Sequence, residues 1–419
     1  MTEQTKPYEV KDINLAEKGM LNIEIAELRM GALMEIRERF KKEKPFMGLT
    51  IGLALHVTKE TAVLVRTLRD GGAKVSVASC NPLSTQDDVA AALAKEGFNV
   101  YAKKGESTYE YYQYIDHVIA SKPNITIDDG CDLVTRIHTK FPENMKTIIG
   151  GCEETTTGVI RLHAMAKDNA LKYPVVAVND NKTKHLLDNY YGTGQSTIDG
   201  VLRATNILIA GKNLVICGYG DCGKGLAQRA KGMGANVVVT EVNPFRALQA
   251  VLDGFIVMQL NDAVKTGDIF ITVTGDKRVI TLEHVKQMKH GAVLANSGHF
   301  DLEIDVKALN DNFKRRRVRD FLDEYIVNGK KIYVCGEGRL VNLAAAEGHP
   351  SEVMSTSFAG QALACEYLVK NKGKLQGVVT LPESIDDEIA TLQLKAMGIK
   401  IDVLSEEQKK YLTSWEEGT

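Results

Sequence analysis

The stretch NLVICGYGDCG, residues 213–223, runs from an apolar segment through G-x-G-x-x-G into a helical pattern. The first glycine fits a tight turn, the second lets the backbone approach a pyrophosphate, and the third lets helix and strand pack closely. The next apolar segment ends in Glu241, about 20 residues on, where a carboxylate accepts from ribose hydroxyls and repels a 2′-phosphate. A loop without a ligand, and a Glu241 that caps the following helix, are the structural alternatives. We predict a Rossmann domain that binds NAD through Gly218, Gly220, Asp221, Gly223 and Glu241.

Short apolar segments alternate with helical patterns on both sides of this loop, which is typical of a parallel sheet covered by helices. Residues up to about 46 are predicted to be helical, and strands are predicted at residues 49–57, 74–79, 99–102, 124–127, 147–149 and 175–178. The rhythm restarts near Asn189. The fold class is therefore predicted as α/β, with two doubly wound parallel-sheet domains of which the second is the Rossmann domain. We expect a substrate-binding domain of residues 1–188 and 350–395, an NAD-binding domain of residues 189–349, and a tail of residues 396–419.

The composition is that of a globular protein, with 419 residues, 44% hydrophobic and 25% charged. A net charge of −2 gives no basic surplus, so we expect no nucleic-acid partner. No segment approaches the ~18 apolar residues of a membrane span, and the polar start contains no signal core. Seven cysteines, an odd number without a C-x-x-C pair, predict reduced thiols in the cytoplasm. No closely spaced histidine pair occurs either, so we expect no metal site.

Six polar clusters lie at or beside the ends of predicted strands, where open α/β sheets bind ligands. Most of them, taken singly, are better explained by helix capping. Together they supply two histidines, a lysine and several carboxylates, and therefore predict an active site. The basic segment 314–317, by contrast, is interpreted as a solvated face. The clusters are residues 55–61, 80–87, 127–130, 153–158, 178–180 with Lys184, Asp188 and Asn189, and 296–301.

Several longer strings closely resemble the S-adenosyl-L-homocysteine hydrolase (adenosylhomocysteinase) family, over nearly the whole chain from about residue 10 to 404. They are EETTTG (153–158), DNYYGTGQS (188–196), DGVLRAT (199–205), GYGDCGKG (218–225), GHFD (298–301), GRLVNL (338–343) and GHPS (348–351). The resemblance implies a cytoplasmic homotetramer that hydrolyses S-adenosyl-L-homocysteine reversibly to adenosine and L-homocysteine. Bound NAD would oxidise the 3′-hydroxyl, the 4′ proton and the 5′ thiol would leave, water would add, and the ketone would be reduced again.

The same resemblance implies roles for individual residues. Lys184 with Asp188 would act as base at the 3′-hydroxyl, and we expect burial and a neighbouring cation to lower the lysine pKa for this task. Glu154 would hold the ribose hydroxyls, Asp129 would take the 4′ proton, and His56 and His299 would serve the leaving group and water, as suits a group with a pKa near neutrality. Cofactor contacts would come from Thr155, Thr156, Thr157, Asn189 and Asn342, and the adenine pocket from Thr58, Glu60, His349 and Met354.

Some positions depart from many family members. Thr193 and Arg246 differ in residue type, Glu347 would change one wall of the purine site, and the chain ends without a lysine- and tyrosine-bearing tail, as in shorter members. Weaker NAD retention is therefore expected. The alternative function is hydrolysis of S-inosyl-L-homocysteine by the same mechanism. Glu60 favours adenine, because a carboxylate can accept from a 6-amino group while a 6-oxo group has nothing to donate.

Two further alternatives belong to other functional classes. One is a catalytically inactive protein that senses a nucleotide, and the other is an NAD dehydrogenase with net redox turnover. A sensor would have no need to keep all six predicted catalytic groups. A dehydrogenase would release reduced NAD into solution, whereas the leading hypothesis predicts none.

Overall fold

Two eight-stranded sheets organise residues 7–415, the part of the chain that the computed structural model describes. The first sheet has the order β1-β4-β3-β2-β5-β6-β7-β16, and every neighbouring pair is parallel. Its strands are β1 (Tyr8–Val10), β2 (Thr50–Ala54), β3 (Lys74–Ala78), β4 (Asn99–Ala102), β5 (Ile125–Asp128), β6 (Gly150–Glu153), β7 (Val175–Ala177) and β16 (Val378–Val379).

The second sheet has the order β10-β9-β8-β11-β12-β15-β14-β13, in which the last two strands are antiparallel to their neighbours. The other pairs are parallel. Its strands are β8 (Asn213–Cys217), β9 (Asn236–Thr240), β10 (Ile256–Val257), β11 (Ile269–Thr272), β12 (Ala292–Asn296), β13 (Arg315–Arg319), β14 (Leu322–Val327) and β15 (Lys330–Cys335).

Helices connect the parallel strands. They are α1 (Ala16–Arg29), α2 (Gly31–Glu43), α3 (Lys59–Asp70), α4 (Asp87–Lys95), α5 (Thr108–Ala120), α6 (Asp132–Lys140), α7 (Thr156–Lys167), α8 (Lys182–Lys184), α9 (Thr193–Thr205), α10 (Asp221–Gly232), α11 (Pro244–Leu252), α12 (Leu260–Thr266), α13 (Leu282–Gln287), α14 (Val306–Asn312), α15 (Val341–Ala344), α16 (Ser351–Lys370), α17 (Glu383–Ala396) and α18 (Glu406–Thr413). No helix within residues 7–415 is both long and apolar enough to cross a lipid bilayer.

The central strands of both sheets are buried on both faces, which explains why they appear in the sequence as continuous apolar segments. In β2, Ile51 and Leu53 face one hydrophobic core while Ala54 faces another. In β8, Leu214 and Val215 likewise enter different cores. Helices therefore cover each sheet from two sides, and the predicted fold class of two doubly wound α/β units is confirmed.

The central strands of each sheet follow the doubly wound order. The first of these strands along the chain lies at the centre, the next ones are added on one side of it, and the later ones are added on the other side. The reversal falls between β2 and β5 in the first sheet and between β8 and β11 in the second. Ligands of open α/β sheets bind outside the carboxyl ends of the strands at such a point. Ligand-binding residues are therefore expected directly after Ala54, Asp128, Cys217 and Thr272.

The chain returns to the first sheet after passing through the second. Phe358 and Leu363 of α16 lie in the same hydrophobic core as Ile51 and Leu53 of β2. Strand β16 then pairs in parallel with β7 at the edge of the first sheet. Residues 396–413, which contain α18, are exposed.

The local expectations are confirmed in part. The segment predicted to be helical up to about residue 46 consists of two helices that meet at Met30, and the short strand β1 precedes them. The strand predicted at 147–149 is wrong, since β6 begins only at Gly150 and residues Pro142–Thr147 form a 3-10 helix. The basic segment 314–317 is exposed, which agrees with its interpretation as a solvated face, and Arg315 and Arg317 of edge strand β13 both pair with Asp323.

Candidate functional site

A cavity of about 960 Å³ opens at the carboxyl ends of both sheets. It lies at the upper end of the size range of ligand pockets, roughly 300–1,000 Å³. Of the site residues predicted from the sequence, all but Gly223 line it. The lining therefore includes His56, Thr58, Glu60, Asp129, Glu154, Thr155, Thr156, Thr157, Lys184, Asp188, Asn189, Gly218, Gly220, Asp221, Glu241, His299, Asn342, His349 and Met354.

The glycine loop forms a cradle at the N-terminus of α10. Gly218 has φ +107°, and a Cβ there would lie 2.9 Å from the carbonyl oxygen of Val273. A Cβ on Gly223 would collide with the carbonyl of Gly218, so the helix packs against the turn itself. At Gly220 a Cβ would meet only the Arg246 guanidinium, at 3.7 Å, and the backbone there faces the cavity. A pyrophosphate fits this open space, where the amide groups that begin a helix attract anions.

Glu241 lies at the cavity wall, directly after β9. One carboxylate oxygen accepts from the Tyr219 amide at 2.7 Å, and the other accepts from the amides of Val242 and Asn243 at 2.7 and 2.9 Å. Helix α11 is capped by the Asn243 side chain, which accepts from the Arg246 amide at 3.1 Å. The alternative in which Glu241 caps that helix is therefore wrong, and the carboxylate is fixed in a position open to a ribose.

Replacing Glu241 with alanine is expected to weaken NAD binding and to raise the relative affinity for NADP. Ribose hydroxyls left unpaired cost ~1–3 kcal/mol, which is roughly a five- to 150-fold rise in Kd. The repulsion of a 2′-phosphate disappears with the carboxylate. Titration of both dinucleotides into the apo variant measures the two constants.

A matched control is Glu283→Ala, which removes an exposed glutamate of α13 that pairs with Lys286 on the surface. It should leave both dissociation constants unchanged. An NAD/NADP preference that stays the same in Glu241→Ala would contradict the role in cofactor selection.

Lys184 lies buried among carboxylates at the start of the segment that connects the two sheets. Its Nζ donates to Asn189 Oδ1 at 2.8 Å and lies 3.6 Å from Asp188 Oδ2 and 3.9 Å from Glu154 Oε1. Burial lowers the pKa of Lys184, but the two carboxylates outweigh burial and raise it overall. The expected lowering by a neighbouring cation is wrong, because the charges nearest to the ammonium are negative.

The pKa values of the two carboxylates beside Lys184 are shifted in opposite directions. Burial raises the pKa of Glu154 to about 7, although Lys184 lowers it. Asp188 is also buried, yet Lys184 and His349 hold its pKa below the usual range. Asp188 accepts from His349 Nδ1 in a short contact. We call Glu154, Lys184 and Asp188 the lysine cluster; it can hold an exchangeable proton on Glu154 at neutral pH.

Two residues that support Glu154 were missed by the sequence analysis. Ser357 donates to one of its oxygens at 2.5 Å, and Gln361 donates to the other. Both lie on α16, inside a helix that is buried along most of its length. The sequence feature that could have identified them is a pair of polar residues spaced four positions apart, which places both on one face of a buried helix.

A second cluster surrounds Asp129, immediately after β5. Asp129 Oδ2 lies 3.4 Å from His56 Nε2, and Oδ1 lies 3.5 Å from His299 Nδ1. Burial lowers the pKa of His56 to about 4, against the opposing effect of Asp129. Gly130 follows with φ +107°, and a Cβ there would collide with the His299 ring. His299 comes from the second sheet, so the cluster exists only where the two halves of the site meet.

The nearest approach to a metal-binding set among the described residues is His56, Cys80 and Asp129, whose ligand atoms lie within 4.8 Å of one another. A thiolate would be needed to bind a metal there. Burial and the nearby carboxylates raise the pKa of the Cys80 thiol well above its usual value. The Cys80 thiol instead donates a hydrogen bond to Asp129 Oδ2 at 3.8 Å. We therefore interpret the three residues as a hydrogen-bonded group.

The predicted adenine pocket is formed by the start of α3 and the start of α16. Glu60 is buried and accepts from the Ser351 hydroxyl at 2.6 Å. Lys59 Nζ lies 3.4 Å from the same carboxylate and 3.0 Å from Glu347. Glu347 is largely exposed and is not among the residues that line the cavity, so it does not form the purine wall expected from the sequence.

Comparison with known proteins identifies the relatives of this chain. The S-adenosyl-L-homocysteine hydrolase profile matches residues 7–143, and the profile of the NAD binding domain of that enzyme matches residues 189–348. The S-inosyl-L-homocysteine hydrolase of Methanocaldococcus jannaschii is 60% identical, covering 98% of this chain and 100% of the relative. The adenosylhomocysteinase of Saccharolobus solfataricus is 59% identical with the same coverage. That of Aquifex aeolicus is 56% identical over 98% of this chain and all of its own.

Proposed function

This chain belongs to the S-adenosyl-L-homocysteine hydrolase family, and we propose on that basis that it hydrolyses S-adenosyl-L-homocysteine reversibly to adenosine and L-homocysteine with bound NAD. The observation that carries the proposal is the convergence of two buried clusters on one cavity. The lysine cluster and the Asp129 cluster line the same space as the glycine loop. A nucleoside whose ribose lies between them would present C3′ to one cluster and C4′ and C5′ to the other.

We propose that the lysine cluster handles the proton of the 3′-hydroxyl. NAD, which the glycine loop and Glu241 would hold, would supply reversible hydride transfer at C3′ when bound. Lys184, which is an ammonium between two carboxylates, would donate a hydrogen bond to the 3′ oxygen. The hydroxyl proton would pass into the cluster, where Glu154, with a pKa of about 7, can hold it. Ser357 and Gln361 keep Glu154 in place throughout.

We assign elimination and hydration to the Asp129 cluster. Asp129 would take the proton from C4′, which the 3′ ketone acidifies, while the C5′–S bond breaks and a C4′–C5′ double bond forms. His56 or His299 would give a proton to the departing thiolate. In the second half, water adds its hydroxyl to C5′ and a proton returns to C4′. Two imidazoles beside one carboxylate can exchange these protons without a metal ion.

We propose adenine rather than hypoxanthine as the purine. Glu60 provides a buried acceptor for a 6-amino group, and an unpaired contact with a 6-oxo group costs ~1–3 kcal/mol. The inosyl compound remains the second candidate, because the Lys59 ammonium lies 3.4 Å from Glu60 and can donate to a 6-oxo group. The name of the M. jannaschii relative also favours it.

Separate assays with S-adenosyl- and S-inosylhomocysteine are expected to give a kcat/KM roughly five- to 150-fold higher for the adenosyl compound, the equivalent of ~1–3 kcal/mol. Homocysteine release measures both rates. Glu60→Gln, whose amide can donate, should shift the preference towards the inosyl compound. A wild-type enzyme that prefers the inosyl substrate would reverse the assignment of the purine while leaving the mechanism intact.

We also propose that residues 1–188 and 350–395 form the substrate domain, residues 189–349 the NAD domain, and residues 396–419 a tail. The proposal is supported by the core that α16 shares with β2 and by the pairing of β16 with β7. The two crossings, near residues 188–194 and 342–350, would act as hinges that close the cavity. Residues His185–Gly192, which include most of the first crossing, wind as a wide π-helix, a form that is frequent at functional sites.

We propose a cytoplasmic homotetramer as the working form of the enzyme. All seven cysteines are free thiols. Helix α11 exposes Phe245, Leu248 and Leu252 to 74%, 57% and 78%, and the tail exposes Leu412 and Trp415 to 67% and 92%. Contiguous exposed apolar side chains of this kind mark protein interfaces.

A further inference from the structure

Ser84 lies behind His56, outside the residues that line the cavity. Its side chain is buried, with 2% exposed, and its Oγ is 2.8 Å from His56 Nδ1 and 3.0 Å from the carbonyl oxygen of Asn81. The other ring nitrogen, Nε2, lies 3.4 Å from Asp129, which also lines the cavity. The imidazole is therefore held from the rear by a neutral hydroxyl and meets the reacting groups with Nε2.

The hydrogens around Ser84 can be arranged in two ways. In the first, the Ser84 hydroxyl donates to the Asn81 carbonyl, which can only accept, and its oxygen accepts from His56 Nδ1–H. Neutral His56 then has a free lone pair on Nε2. In the second, Ser84 donates to Nδ1, and Nε2 carries the hydrogen. The Asn81 carbonyl would still be satisfied, since the Ser79 hydroxyl donates to it at 2.8 Å.

Only the first arrangement suits a residue that gives and takes a proton at Nε2. When Nε2 gains a proton, Nδ1–H continues to donate to Ser84, and nothing behind the ring has to move. In the second arrangement, protonation of Nδ1 would force the hydroxyl to turn round. A hydroxyl also stabilises the imidazolium less than a carboxylate would, so the proton on Nε2 stays easy to release.

We propose that Ser84 is a positioning residue that keeps His56 in the Nδ1–H form. Nε2 can then take from Asp129, 3.4 Å away, the proton removed from C4′ and pass it to the departing thiolate, and it can later accept a proton from water. The inference rests on the proposed function and deepens it. It assigns a role to a serine of the 80–87 cluster that the family roles for individual residues leave without one.

Ser84→Ala tests this role in the holoenzyme with S-adenosylhomocysteine. The kcat for homocysteine release is expected to fall about 10- to 100-fold, less than the ~10²–10⁴ typical of losing the acid–base group itself. KM and the rate at which bound nicotinamide becomes reduced should stay unchanged, because the lysine cluster is untouched. Ser84→Thr keeps the hydroxyl and should recover most of the lost rate.

Ser79→Ala is the matched control, since Ser79 donates to the same Asn81 carbonyl but has no contact with His56. It should leave thiol release near the wild-type rate. Equal slowing by Ser84→Ala and Ser79→Ala, or equal slowing of nicotinamide reduction and thiol release in Ser84→Ala, would overturn the proposal by showing that Ser84 only supports the turn. A wild-type enzyme that releases no homocysteine would instead refute the proposed function.

Discussion

Lys184→Ala is expected to abolish turnover at its first chemical step, with a loss of ~10²–10⁴ in rate. The ammonium is the hydrogen-bond donor available to the 3′ oxygen within the lysine cluster, and its removal leaves Glu154 and Asp188 without the charge that holds them together. Stopped-flow absorbance of bound reduced nicotinamide follows this step directly. The signal that appears on mixing wild-type enzyme with substrate should be absent or strongly slowed.

The control for this experiment is Lys182→Ala in the same short helix. Lys182 is 62% exposed and pairs with Glu383 on the surface, so its loss should leave the absorbance change intact. Lys184→Arg keeps a positive charge and separates the electrostatic contribution from proton transfer. Reduction at the wild-type rate in Lys184→Ala would show that the 3′ oxygen is managed by other groups.

Asp129→Asn is expected to separate oxidation from elimination. The amide cannot take the C4′ proton, so homocysteine release should fall ~10²–10⁴-fold. The lysine cluster is unchanged, and bound reduced nicotinamide should therefore accumulate on mixing with substrate instead of appearing only transiently. The two observables, absorbance and thiol release, are measured in the same reaction.

Asp116→Asn is the matched control, because Asp116 pairs with Arg136 and lies outside the cavity. It should change neither observable. If Asp129→Asn slowed nicotinamide reduction as much as thiol release, the carboxylate would belong to the oxidation step or to the structure of the site, and the assignment to C4′ would be wrong.

The cofactor half of the site was predictable because its signal is local. The glycine loop, β9 and Glu241 lie within 29 residues, from Asn213 to Glu241, and a Cβ at Gly218 or Gly223 would crowd neighbouring backbone atoms. The ends of most central parallel strands could be predicted for the same reason, since short apolar segments define them, whereas β6 was placed too early in the chain. The residue roles remain proposals, although the cavity brings the predicted side chains together.

Long-range contacts could not be predicted in this way. Ser357 is 203 residues from Glu154, and nothing in its own segment distinguishes it from a polar residue tolerated in a buried helix. The sign of the Lys184 pKa shift depends on carboxylates that only the fold brings near, one of them 30 residues earlier. The β13–β14 hairpin was missed because the arginines of β13 resemble a solvated charged segment, and their partner Asp323 becomes evident only from strand pairing.

In the proposed mechanism one cavity oxidises C3′, exchanges the proton at C4′ and restores C3′ before the product leaves. Running the reaction of holoenzyme and unlabelled S-adenosylhomocysteine in D₂O and locating deuterium in the adenosine by NMR tests this sequence of steps. We expect deuterium at C4′, protium at C3′, one homocysteine for each adenosine, and no reduced NAD in solution. Adenosine that keeps protium at C4′ would indicate direct displacement at C5′, and accumulation of a 3′-ketone with reduced NAD would indicate a dehydrogenase; either result would refute the mechanism.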